Sequence, residues 1–267
     1  MDLSQIEQNI ISVKERVACA ANGREAAIVA ATKTVPAEII RALPALGINI
    51  AGENRAQEFL DKYKTVQEIS NGEVFNGADA SRPGGSRVSG EGCVAGPARP
   101  NGADERSPDP TVYAPLNWHF IGRLQTNKVK YIIDKVSMIH SVDRPELAAE
   151  ISRACRNKNI PNMDILIEVN MGGEESKGGV TIDNLLSFAR SVSEKYDNIT
   201  IKGLMPVLPI NAPREMYLQA AALYDIFIRE HPSADWLSMG MSDDFELAIA
   251  CGSNMVRIGT AIFGQRS

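Results

Sequence analysis

The sequence predicts an α/β protein that forms a single parallel (β/α)8 TIM barrel, on the strength of three observations. Its 267 residues suffice for one such barrel, which commonly needs about 250 residues. Short strand-like apolar runs alternate with longer helical patterns, as consecutive parallel β/α units require. The turn from Thr32 to Pro36 after the first strand contains no glycine, whereas an open dinucleotide-binding sheet carries a glycine-rich turn there.

The elements alternate in a regular order. The first helix is predicted from Leu3, Ile6, Ile10, Val13 and Val17, which recur at spacings of three and four residues. Eight short apolar runs predict the strands: Ala26–Ala31, Ile48–Ala51, Trp118–Ile121, Met138–Ser141, Ile165–Val169, Ile199–Leu204, Trp236–Met239 and Met255–Ile258. Between most of these runs, apolar spacing predicts further helices: Glu38–Leu46, Arg55–Lys64, Gln125–Asp134, Pro145–Asn157, Ile182–Tyr196, Arg214–Glu230 and Asp244–Ala250.

One long interval, from about Ser70 to Pro115, does not follow this pattern. It is rich in Gly, Pro, Ser, Ala and Asp and has almost no apolar periodicity. Structureless loops of this length are uncommon inside compact domains. We therefore expect residues 1–267 to form one domain, with about 70–115 as a flexible, disordered surface insertion. A functional lid is the alternative interpretation of this interval.

Composition argues against several classes of function. The net charge of −5 and the pI near 5.4, without a basic stripe, disfavour a protein that binds nucleic acid. The N-terminus lacks the apolar block of a signal peptide, and no run approaches the roughly 18 apolar residues of a membrane span. The four cysteines lie far apart, without a C-x-x-C pair. We therefore expect a cytoplasmic protein with reduced thiols, no metal site and no membrane contact.

The loops after the seventh and eighth strands carry the features of a phosphate site. In a β/α barrel the functional groups lie at the C-terminal ends of the strands, and these two loops often bind phosphate. Gly240 and Gly259 allow the backbone to approach an anion closely. Ser238, Ser242 and Thr260 add hydroxyl groups. Ser242 alone also fits a plain helix N-cap, but that interpretation explains neither Ser238 nor Thr260.

Lys33 ends the first strand, and we expect it across the barrel mouth from these loops. A lysine desolvated among apolar neighbours has a depressed pKa and a free amine for imine formation. The simpler interpretation is a lysine that extends to solvent or forms a salt bridge. Beside a phosphate site, imine formation with a phosphorylated aldehyde becomes the hypothesis to test. Two ligands fit it: a sugar phosphate, as in a Schiff-base aldolase, or pyridoxal 5′-phosphate (PLP).

Six motifs follow one another along the chain: Ala31–Thr34, Gly52–Glu58, Trp118–Lys128, Ile139–Asp143, Leu237–Phe245 and Val256–Gly264. Together they extend over nearly the whole chain outside the insertion. They resemble the motifs of the YggS/PROSC family of PLP homeostasis proteins. The resemblance implies a barrel similar to the N-terminal domain of alanine racemase, with PLP held as a Schiff base.

The resemblance also implies a role for each candidate site residue. PLP would form its imine with Lys33. Ser238, Gly259 and Thr260 would hold its phosphate. Arg257 would face the pyridine nitrogen, and Asn54 would lie near the cofactor.

The same residues bear on whether the protein is a carrier or an enzyme. PLP enzymes that form carbanions often place an acid against the pyridine nitrogen, and Arg257 cannot accept that proton. No tyrosine falls in a strand-end motif, His119 is as well explained by core packing, and we expect no second domain to supply a base. We therefore expect a non-catalytic PLP carrier, a monomer or weak dimer, that passes the cofactor to apo-enzymes. The alternatives are a single-domain PLP-dependent racemase or lyase, and a sugar-phosphate aldolase.

Overall fold

The computed structural model describes residues 2–75, 116–173 and 178–265. Eight parallel strands, β1 to β8, form one sheet in sequential order, in which β1 pairs with both β2 and β8. The strands are Ala27–Ala31, Ile50–Glu53, Asn117–Phe120, Met138–Val142, Met163–Asn170, Ile199–Val207, Trp236–Leu237 and Met255–Ile258. A parallel bridge between Ser238 and Met255 joins β7 to β8. The sheet is thus a closed barrel, and the predicted fold class is confirmed.

Helices α1 to α9 surround the strands: Leu3–Ala21, Ala37–Ala42, Ala56–Phe75, Val129–Ile132, Pro145–Asn157, Leu185–Lys195, Arg214–Glu230, Phe245–Ala250 and Thr260–Phe263. Short 3-10 turns occupy Pro44–Leu46, Thr126–Lys128 and Ile182–Asn184. In the described part of the chain, no helix combines the length and the apolarity that a membrane crossing requires.

Most predicted element bounds differ from the structure by a few residues, and three differences have a local reason or bear on the site. The predicted helix Glu38–Leu46 is interrupted after Ala42, because Pro44 lacks an N–H group and disfavours helical backbone in the residue before it. The predicted strand Trp236–Met239 keeps regular pairing only at Trp236–Leu237. Helix α3 continues to Phe75, beyond the predicted start of the insertion at Ser70, since a single glycine does not end a helix. The rest of that predicted insertion lies outside the described residues.

The apolar core has two parts. The larger part fills the space between the helices and the outer face of the barrel. The smaller one consists of Met138, Leu166 and Met205, one from each of three neighbouring strands. His140 lies two residues after Met138 in β4, and Glu168 lies two residues after Leu166 in β5. Because side chains alternate along a strand, each pair shares a strand face. Towards the carboxyl ends of these strands, apolar residues therefore give way to polar ones.

Candidate functional site

Lys33 lies in a tight turn directly after β1. The next residue, Thr34, has a φ of 65°, a left-handed conformation that β-branched residues rarely adopt. Its N–H group donates a hydrogen bond of 2.5 Å to Glu58 Oε1. Lys33 is partly buried, and it lines a small cavity of about 30 Å³ together with Gly259 and Thr260. The predicted anchor and two predicted phosphate ligands therefore meet.

Their relative position differs from the sequence prediction. Lys33 was expected across the barrel mouth from the loop after β8, but β1 and β8 are hydrogen-bonded neighbours, with Ala30 in register with Ile258. The closure of the barrel makes the first and last strands adjacent, so Lys33 and Gly259 follow neighbouring strand ends. The prediction of opposite sides is therefore wrong. Lys33 lies closer to Gly259 and Thr260 than the sequence predicted.

A buried polar network supports the Lys33 turn. Lys62 Nζ donates to Thr32 O at 2.5 Å, Glu53 Oε1 at 2.8 Å and Glu58 Oε1 at 2.8 Å. Thr32 Oγ1 donates to the same Glu53 oxygen at 2.6 Å. Glu53 is fully buried, and burial raises its pKa although the bonds from Lys62 and Thr32 lower it. Sequence reasoning missed Lys62, although its spacing of four from Glu58 is a recognisable helical pair.

Backbone amides after β8 converge on one oxygen atom. The N–H groups of Gly259 and Ala261 donate to Ser242 Oγ at 3.1 and 3.2 Å. A Cβ atom on Gly259 would be 3.4 Å from Ala31 O, so the loop backbone runs close to the end of β1. An oxygen atom placed between these two amides is held by fixed donors, which is the arrangement that binds phosphate and other anions.

Ser238 and Arg257 lie together further inside the barrel. Arg257 Nη1 donates to Ser238 O at 2.6 Å and to Ser238 Oγ at 2.9 Å. Ser238 is fully buried, and its Oγ is 3.5 Å from His140 Nδ1. Burial lowers the pKa of Arg257 to about 10, so the guanidinium stays charged at neutral pH. The structure brings these two predicted residues together, but places the Ser242 hydroxyl, not that of Ser238, at the Gly259 amide.

Two histidines extend this network into the barrel. His119 Nδ1 and His140 Nε2 are 2.9 Å apart, so one nitrogen of the pair carries the shared proton and the other accepts it. Burial lowers the pKa of His119 to about 4. Burial, followed by the charges of His119 and Arg257, lowers the pKa of His140 well below its ordinary value. Both rings are therefore neutral near pH 7, and the geometry favours core packing for His119.

Glu168 and Asp143 form a carboxylate pair that the sequence analysis did not identify. Glu168 lies in β5 and is 8% exposed. Burial, followed by the charge of Asp143, raises its pKa to about 7, although Arg257 and two further arginines oppose the shift. A Cβ atom on Gly178 would be 3.0 Å from Glu168 Oε1 and 3.2 Å from Asp143 Oδ2. A glutamate inside an apolar strand was the available sequence signal.

Asn54, the remaining predicted site residue, is exposed at the end of β2. A Cβ atom on Gly122 would be 2.3 Å from Asn54 O and 2.6 Å from its Cα, so the Asn54 backbone can lie this close only because residue 122 has no side chain. Asn54 lines a cleft of about 950 Å³ beside the barrel mouth. Throughout the described ranges, no three His, Cys, Asp or Glu side chains are grouped as metal ligands.

The chain is similar in sequence to a known family and to named proteins of two bacteria. The family described as "Alanine racemase, N-terminal domain" matches residues 1–267. The chain is 38% identical over 269 residues to the pyridoxal phosphate homeostasis protein of Aquifex aeolicus, with 97% of each chain covered. Identity to the protein of the same name from Pseudomonas aeruginosa is 33%, covering 99% of this chain and 97% of that one.

Two solved structures share the fold. One is a protein of unknown function from Bifidobacterium adolescentis, with a TM-score of 0.76, 29% identity and coverage of 98% of this chain and 97% of that one. The other is PipY of Synechococcus elongatus with PLP bound, with a TM-score of 0.68, 23% identity and coverage of 97% and 100%.

Proposed function

This chain belongs to the alanine racemase N-terminal domain family, and from that membership we propose that it binds PLP covalently through Lys33 and serves in PLP homeostasis. One observation carries the proposal. Lys33, the aldehyde-reactive candidate, shares a cavity with Gly259 and Thr260, where the Gly259 and Ala261 amides converge on one oxygen. The names of the Aquifex and Pseudomonas relatives and the PLP in the PipY structure support the choice of ligand.

The described residues fit PLP in three respects. An amine at Lys33 suits its aldehyde. The Gly259 and Ala261 amides, which here donate to the Ser242 hydroxyl, suit its phosphate. Arg257 suits its pyridine nitrogen, since it is charged and held by two bonds to Ser238. We assign Ser238 to orienting Arg257 and Asn54 to the rim of the same site.

We further propose that the protein carries PLP without robust turnover and delivers it to apo-enzymes. When bound, PLP supplies an electrophilic aldehyde and an electron sink. Arg257 keeps its own proton near neutral pH, because its pKa is lowered only to about 10. It therefore donates a hydrogen bond without protonating the ring nitrogen, and the sink stays weak. The neutral His119–His140 pair is hydrogen-bonded inside the barrel, and burial lowers the pKa of both rings, which makes each a weak base.

Glu168 favours a second candidate, a single-domain PLP-dependent racemase or lyase. Its pKa of about 7 allows it to hold or release a proton near neutral pH, which is what a general acid or base requires. Amino-acid turnover that is present in the wild type and lost in Glu168→Gln would establish this second function in place of the carrier.

The first experiment is an absorbance spectrum of protein incubated with PLP, before and after borohydride. We expect a visible band that borohydride abolishes while fixing the cofactor on Lys33, located by peptide mass spectrometry. Lys33→Ala should show no fixed cofactor. Lys130→Ala, which removes an exposed lysine on α4, should behave like the wild type. A wild-type protein that takes up no PLP would contradict the proposal and favour the sugar-phosphate aldolase.

A further inference from the structure

We propose that the 950 Å³ cleft beside the barrel mouth is a second ligand site, which binds a small molecule carrying two or more anionic groups. We call it the arginine cleft. Its walls come from the segments that follow β2 and β3, together with one side chain after β4. Four cationic side chains line it, namely Arg55, Arg123, Lys128 and Arg144.

The charge of the arginine cleft contrasts with that of the whole chain. Among the described residues that line it there is no aspartate or glutamate, whereas the chain as a whole has a net charge of −5. The remaining polar lining comes largely from amide side chains, including Asn54, Gln125 and Asn127. Guanidinium and amide N–H groups are the donors that recognise phosphate and carboxylate oxygens. A cleft with this lining selects oxyanions over cationic or apolar ligands.

Three of the four cations are available to a ligand. Among the described residues, Arg55, Arg123 and Lys128 form no ion pair within 4 Å. Arg55 and Arg123 are exposed, and the Lys128 ammonium lies 5.9 Å from the Tyr131 ring centre. The alternative interpretation is that these side chains are ordinary surface cations in contact with water. That interpretation does not explain why cations from separate segments line one concave surface whose described residues include no carboxylate.

The wall of the arginine cleft that follows β3 is held in place by contacts within the chain. Arg144 is bound to Asp143 Oδ1 at 2.5 Å and donates to Leu124 O at 2.7 Å, which ties the segment after β3 to the end of β4. Phe120 and Leu124 are each 1% exposed and anchor that segment in the core. Preformed walls lower the entropic cost of binding.

The arginine cleft adjoins the proposed PLP site, because Asn54, which we assign to the rim of that site, also lines the cleft. The small cavity at Lys33 is lined by residues at or after the ends of β1 and β8, and none of its described lining residues also lines the arginine cleft. A volume of about 950 Å³ is at the upper end of the roughly 300–1,000 Å³ typical of small-molecule sites. The four cations on which the inference rests do not line the cavity at Lys33, so the inference does not depend on whether Lys33 binds PLP.

The test uses calorimetric titration of the full chain with pyrophosphate and, separately, with citrate, at equal low ionic strength. These probes distinguish phosphate from carboxylate as the recognised group. Each titration is made with and without prior incubation with PLP. We compare the wild type with R55Q/R123Q and with a control, R214Q/R229Q, which removes two exposed arginines from α7 on the opposite side of the barrel. Both double variants change the net charge equally.

We expect saturable binding of one equivalent of at least one probe by the wild type and the control. In R55Q/R123Q the affinity should fall by at least about tenfold, since even one lost charge-assisted bond has that effect. Equal binding by R55Q/R123Q and the wild type would overturn the proposal by placing the anion elsewhere. Equal weakening in both double variants, or no binding of either probe, would overturn it as well.

Discussion

Replacing Lys62 tests the network behind the Lys33 turn most directly. Lys62 Nζ lies 2.8 Å from a Glu53 oxygen, and the Glu53 side chain is fully buried with Oε2 lacking a hydrogen bond among the described residues. Lys62→Met keeps most of the apolar stem but leaves the carboxylate without its cation. Breaking a buried pair in this way typically costs about 3–5 kcal/mol. We expect a loss of that size in the free energy of unfolding at pH 7.

The control and the compensating variant lie close by. Lys64, on the same helix, is 77% exposed and 3.7 Å from Glu68, so Lys64→Met should cost no more than about 0.5 kcal/mol. Glu53→Gln/Lys62→Met removes both buried charges and should recover part of the loss. Urea denaturation of the single and double variants, combined in a double-mutant cycle, measures the coupling between the two residues.

The loss caused by Lys62→Met should also depend on pH. Burial already raises the pKa of Glu53, and removal of Lys62 takes away an interaction that lowers it. Because the folded pKa then lies above the unfolded one, the folded state gains stability as the pH falls. The deficit should therefore shrink towards pH 5 and grow towards neutral pH. Equal losses for Lys62→Met and Lys64→Met at pH 7 would refute the reasoning.

Two further predictions concern stability. Burial raises the pKa of Glu168 from 4.5 to about 7, so ionising it costs the fold about 3 kcal/mol above pH 7. Glu168→Gln should therefore gain stability relative to the wild type as the pH rises from 5 to 8. A stability difference in urea denaturation that does not change with pH would contradict this. Gly122→Ala should destabilise the fold by about 1–3 kcal/mol, because the new Cβ atom would be 2.3 Å from Asn54 O. Gly259→Ala is the control, since its Cβ atom would be 3.4 Å from Ala31 O, and it should leave the melting temperature nearly unchanged. Equal melting temperatures for the two variants would contradict the prediction.

The sequence carried enough information for the barrel because each element has its own local signal. Parallel strands buried on both faces appear as short apolar runs, and the amphipathic helices between them repeat every three to four residues. The strand ends followed directly, and with them Lys33, Gly259 and Thr260 as candidates. Adjacent first and last strands are a property of a closed barrel, so their proximity needed only the correct fold class.

Side-chain direction and pairing between distant segments depended on the tertiary structure. Ser238 and Ser242 belong to one motif, yet one hydroxyl lies beside Arg257 inside the barrel and the other at the Gly259 amide. That difference depends on how the short strand β7 meets β8, which no local pattern encodes. Lys62 and Glu168 were missed for the same reason.

The sequence by itself therefore determined the order and approximate bounds of the strands and helices, the chemistry offered at the strand ends, and the family resemblance. The tertiary structure decided which of those groups contact one another, and which of them are buried enough to change their pKa. The physical reason is that apolar periodicity is a short-range property of the chain. Hydrogen bonds such as that from Lys62 to Glu53, and desolvation such as that of Glu168, depend on strand register and barrel closure.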